Sequence, residues 1–97
     1  MGAVSFDLRY LPAALRNEIS RFFLHVSNET RAVDPEGVEL PNLDAARTSA
    51  VRGARELIAE AILAGRSVSR RHCIEITDGD GTLHHTERFG DLVETRP

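Results

Sequence analysis

The chain contains no lysine; all 12 of its basic residues are arginine. That absence removes Schiff-base chemistry, a phosphate-loop lysine and a lysine general base from consideration. Cysteine is nearly absent too. Cys73 stands alone, which excludes an internal disulfide and a zinc site built on clustered cysteines. No apolar run approaches the roughly 20 residues that cross a bilayer. The N-terminus lacks a basic stretch followed by an apolar one, so no secretory signal or membrane association is expected and the expected location is the cytoplasm. A basic excess is missing as well: the net charge is −3 and the pI about 5.8, which argues against gripping nucleic acid through its phosphates. With 97 residues the chain has room for one domain. A domain of this size buries roughly 60–65% of its unfolded surface, so its core is thin and a deep catalytic cavity is not expected.

Between these absences the pattern is that of a hairpin, a helix and a second hairpin. In Arg21-Phe22-Phe23-Leu24-His25-Val26-Ser27, residues 22, 24 and 26 share one strand face and residues 23, 25 and 27 the other. Asn28-Glu29-Thr30 supplies a turn and Arg31-Ala32-Val33 a short return strand. Asp34-Pro35-Glu36-Gly37 should end it, because proline cannot donate to a ladder. Val38-Glu39-Leu40 reads as an extended lead into the helix.

The helix is the clearest element. Asn42 is a favourable N-cap, Asp44 suits the first turn and Gly65 stands where a terminal glycine belongs. Leu43, Ala46, Ala50, Val51, Ala54, Leu57, Ile58 and Ala61 fall on one stripe. Arg52 and Glu56 are spaced as an i,i+4 ion pair. The helix is longer than a typical strand, so its end should overhang the sheet and leave Leu63 free to dock. His72 to Thr77 alternates like a half-buried strand, Asp78-Gly79-Asp80-Gly81 marks a turn, and Thr82 to Phe89 returns with Leu83, His85 and Phe89 on one face. The expected fold class is α+β: a four-stranded antiparallel sheet in the order β-β-α-β-β along the chain, with one long helix packed on one face. The domain should run from residue 21 to 93, with a flexible extension over residues 1–20 and a tail over 94–97.

One string resembles an active site. Ile74 to Leu83 reads I-E-I-T-D-G-D-G-T-L, similar to the first motif of haloacid dehalogenase-like phosphatases. That resemblance implies a Mg²⁺-dependent hydrolase with Asp78 as nucleophile and Asp80 as acid/base. The context opposes it. The motif falls near the end of the chain, the strand before it alternates where a buried parallel strand would be continuously apolar, and two Asp-Gly pairs are what a hairpin turn requires. The spacing from Asp78 also fails for a calcium loop, with Leu83 where glycine is needed and Phe89 where glutamate is needed. No catalytic residue, cofactor or metal is therefore assigned.

The face of the sheet away from the helix is the candidate interaction surface. It should carry Phe23, His25, Cys73, Glu75, His84 and Arg88. A single sheet with one helix leaves that face uncovered, so a homodimer is expected through faces or edges, or else a protein partner. Arg47, projecting beside the apolar stripe, is a candidate anion contact.

Arg21–Val26, Asp34–Arg47, Ala54–Leu57 and Ile74–Asp78 resemble a family of small uncharacterised proteins found mainly in alphaproteobacteria. The resemblance covers about 70 residues. It implies that residues 1–20 are an extension or a misplaced start, and it carries no activity. Glu36-Gly37 followed by Pro41-Asn42-Leu43 and an alanine-rich helix also resembles the layout of HicB-like antitoxins, which implies toxin neutralisation or a nucleic-acid-linked regulator as an alternative function.

Overall fold

The structure, a computed structural model, describes residues 20–94. The expected extension, apart from Ser20, and the tail beyond Glu94 lie outside the described residues. Chain order is β1 (Ser20–Ser27), β2 (Arg31–Ala32), β3 (Val38–Leu40), α1 (Leu43–Leu63), β4 (Cys73–Thr77) and β5 (Leu83–Arg88), followed by one 3-10 turn at Phe89–Asp91. The sheet is antiparallel throughout, with the order β2-β1-β4-β5 and β3 pairing with the start of β1.

The α+β class with one helix on an antiparallel sheet agrees with the sequence pattern. The sheet has a fifth strand because Val38–Leu40 pairs with Ser20–Phe22. Its register shows how. Val26 faces Ala32 and Phe22 faces Val38, so the three β1 residues 23–25 lie opposite the five residues 33–37. β2 and β3 are therefore one edge strand interrupted by two extra residues. The chain then crosses from β3 by way of α1 to β4, on the other side of β1.

Local sequence sets the ends of α1. The Asn42 side-chain oxygen accepts the Ala45 N–H at 2.8 Å, and Asp44 sits in the positive first turn. At the other end Gly65 takes φ +70°, and the Arg66 N–H returns to the Ala61 carbonyl at 2.8 Å. Ala46, Ala50 and Ala54 are 0% exposed and pack with Ile58 on Phe22, Ile74, Ile76 and Phe89. Small side chains here let the helix backbone approach the strands. Ile76, the largest fully enclosed side chain, contributes about 2–3 kcal/mol of apolar burial. The helix end overhangs as its length implies, with Leu63 88% exposed. Arg52 and Glu56 make no ion pair despite their spacing.

The second hairpin departs from simple alternation. A register shift between Ile76 and Thr77 sets His85 opposite Ile76 but Leu83 opposite Thr77. One extra residue on β5 puts Leu83 out of phase with His85, the ordinary consequence of a β-bulge. Leu83, expected on the same face as His85, is on the other face and 52% exposed.

Candidate functional site

Strand pairing fixes the outer face of the sheet. Phe23 faces Thr77, His25 faces Glu75, Ser27 faces Cys73, and on the far side Thr86 and Arg88 face Glu75 and Cys73. Phe23, Cys73, Glu75 and Arg88 thus stand together, as the alternation implies. Arg31 pairs with Glu75 across this face. Burial raises the Cys73 thiol above its usual range and Glu75 adds to the shift, against Arg88 and Arg31, a direction that disfavours the reactive thiolate.

Two residues of the expected surface behave otherwise. His25 is only 8% exposed. Phe23 stacks beside it, with ring centroids 6.4 Å apart and planes within 10°. The Asp34 backbone N–H donates to its Nδ1 at 3.0 Å, so the ring proton resides on Nε2 and points to the Thr77 hydroxyl at 3.0 Å. A histidine with both nitrogens engaged and almost no exposed area is a structural strut. His84 leaves the outer face altogether. The bulge turns it toward Asp78, 2.8 Å away, and edge-on to the core residue Phe22.

The same neighbourhood explains why the β2/β3 edge is closed. The Asp34 carboxylate accepts N–H groups from Leu24 at 3.2 Å, Glu36 at 3.3 Å and Gly37 at 3.0 Å. It takes the place of a missing strand partner for Leu24. Burial would raise this carboxyl, but the three backbone donors outweigh it and hold it below the ordinary carboxylate range. Gly37, at φ +70°, passes so close that a Cβ there would stand 2.8 Å from the Phe22 carbonyl oxygen and 3.0 Å from the Phe23 ring.

The Asp78 turn is equally accounted for. One carboxylate oxygen accepts the Asp80 and Thr82 N–H groups at 2.9 and 3.0 Å, and the other meets His84. The His84 contact is the main reason the Asp78 carboxyl lies low; slight burial opposes it and the two N–H groups reinforce it. Asp80 points to solvent. This is a side-chain-capped turn whose first aspartate is spent on the backbone. Among the described residues no group of three or more His, Cys, Asp or Glu is placed to hold a metal ion, and no helix is long and apolar enough to cross a membrane.

What remains open is the other edge. β5 has six residues, pairs with β4 on one side and has no partner among the described residues on the other. Beside it the flank of α1 forms a groove of about 770 Å³, with Glu87 of β5 as its strand-side wall and Asp44, Arg47, Val51 and Arg55 along the helix side. Arg52 and Glu56 border it further round the helix. Arg47, Arg52 and Arg55 are exposed and have no ion pair or hydrogen bond with a described residue. Glu87 is taken by His85 at 2.8 Å. Sequence reasoning singled out Arg47 but missed Arg55 and the groove; the i,i+4,i+8 series Arg47, Val51, Arg55 was the available signal.

The family model for a domain of unknown function, DUF6894, matches residues 21–90. No curated protein and no solved structure matches the chain.

Proposed function

We propose that this chain, which belongs to the DUF6894 family of unknown function, is a small non-enzymatic interaction module that takes up a partner's strand at the open edge of β5. The observation that carries the reading is the contrast in that one sheet. The β2/β3 edge is interrupted and capped by its own aspartate, whereas β5 is free of proline, regular from His85 to Arg88 after its bulge, and unpaired on its outer side among the described residues. An unpaired row of backbone donors and acceptors is a template for strand addition. The module works in the bacterial cytoplasm under this reading. The layout shared with HicB-like antitoxins supports one specific form of it, a regulator that neutralises a small toxin encoded beside it.

Selection of extended peptides on the intact chain, followed by amide shift mapping, tests the proposal. Selected peptides should shift the β5 amides and leave those of β2 and β3 unmoved. Peptides that map elsewhere, or no enrichment at all, would reject it.

The outer face supports a second, compatible reading, self-association. Phe23 and Cys73 are half-buried and Leu83 is exposed on a face that, among the described residues, the 33–37 insertion covers only beside Phe23 and His25. Light scattering across a concentration series should show a dimer that Arg88→Glu weakens; a strict monomer at every concentration rejects this second reading.

A further inference from the structure

We infer that the strand received beside β5 is an acidic one, an extended peptide segment with carboxylates four residues apart on the side that faces α1. The inference rests on the strand-addition reading above and specifies its partner.

The helix flank supplies the reason. At about 100° per residue, positions 47, 51 and 55 stay within about 80° of one another, so they form one row beside the β5 edge. Arg47 and Arg55 stand eight positions apart on α1, about 12 Å along its axis. A strand lying on β5 presents alternate side chains to the helix at intervals of about 6.8 Å, so its residues i and i+4 are separated by about 13–14 Å. Two carboxylates at that spacing meet Arg47 and Arg55, and the residue between them meets Val51.

The charges of the groove agree. Both arginines lack an ion-pair or hydrogen-bond partner among the described residues, and guanidinium groups bind carboxylates through paired donors. Of the acidic residues present, Glu87 is occupied by His85, Asp44 lies in the positive first turn of the helix, and Glu56 lies further round it. None of them forms an ion pair with Arg47 or Arg55, although Asp44, three positions before Arg47, lines the same groove.

The same charges argue against a second copy at this edge. Two β5 strands paired about a two-fold axis normal to the sheet would bring both helices to the same side of one continuous sheet. Their arginine rows would then run antiparallel and face each other, and like charges opposed at an interface are unfavourable. Self-association through the outer face is unaffected.

The probe is a labelled seven-residue peptide, threonine at odd positions and glutamate, valine, glutamate at the even ones. Its counterpart has glutamine for both glutamates. Binding is followed by fluorescence anisotropy and by amide shifts on the full chain. The glutamate peptide should shift β5 amides and bind roughly tenfold more tightly than the glutamine peptide. The double variant Arg47→Gln/Arg55→Gln should erase that difference while keeping the amide dispersion of a folded chain, and Arg52→Gln should retain most of it. Equal binding of both peptides at β5 overturns the acidic specificity and leaves strand addition standing. Failure of both peptides to move β5 amides overturns strand addition and the acidic inference together. So does a β5–β5 pairing found between copies.

Discussion

The two edges of this sheet solve the same problem in opposite ways. A sheet edge exposes backbone groups that other strands can use, and folded proteins interrupt, bend or charge their edges to prevent it. On the β2/β3 side the interruption is thorough: two extra residues, a proline, and a carboxylate that caps the Leu24 N–H. On the β5 side a bulge at His84 bends the strand near its start, and only His85–Arg88 continues without a break. One edge is finished by the chain itself and the other has no partner strand among the described residues.

Gly37 is where the finished edge is most easily broken. Alanine there must hold a left-handed backbone, costing about 1–2 kcal/mol, and its Cβ would press on the Phe22 carbonyl at 2.8 Å. Gly37→Ala should lose about 3 kcal/mol or more in urea unfolding. Gly81 provides the control on the open side. It has φ +83° with nothing within 4 Å of a Cβ, so Gly81→Ala should cost only about 1 kcal/mol. Equal losses would mean that the close approach at Gly37 has no energetic weight.

Asp34→Ala comes next. It removes the acceptor of three N–H groups and should cost about 2–3 kcal/mol. It should also open the edge, so slow association through β2/β3 is expected. The carboxyl lies below its ordinary value when folded, which sets the sign of its pH effect. Its stabilisation is fully present above the unfolded value of about 4 and is lost as pH falls through the lower folded value. The melting temperature of Asp34→Asn should therefore fall less steeply on acidification than that of the wild type. Parallel acid limbs would place the lowered carboxyl elsewhere.

These roles were unevenly legible in the sequence. The helix could be read almost residue by residue because caps and apolar spacing are local, and Asn42, Gly65 and the Ala46/Ala50/Ala54 stripe depend on neighbours within a few positions. Asp34 could be read as a turn former but not as the cap of Leu24, since that bond joins residues ten apart in a register unknown beforehand. His25 looked like a surface residue because alternation assigns a face, and it does not reveal that the 33–37 insertion folds against that face. The bulge misled in the same way. Nothing in Thr82–Phe89 says that one residue will be skipped, yet that skip sends His84 to Asp78 and Leu83 outward. The groove needed the most information, because it exists only once α1 is laid beside an edge strand.

The smallest expected effect tests whether the finished edge owes its order to backbone capping or to surface charge. Arg31, in β2, pairs with Glu75 across the sheet, and Arg21 bonds Glu39 of β3 at 2.8 Å. Both look like clamps on the interrupted strand. The side chains of Arg31, Arg21 and Glu39 are about half exposed or more, so water and salt screen the pairs and ordering long side chains offsets much of the gain. Arg31→Ala and Arg21→Ala should each cost about 0.5 kcal/mol, and a double-mutant cycle of Arg31 with Glu75 should give a coupling below about 1 kcal/mol that shrinks in added salt. A coupling as large as the loss in Asp34→Ala would reverse the assignment: the edge would be clamped by charge, it would loosen at high ionic strength, and the contrast with β5 would depend on salt instead of being built into the backbone.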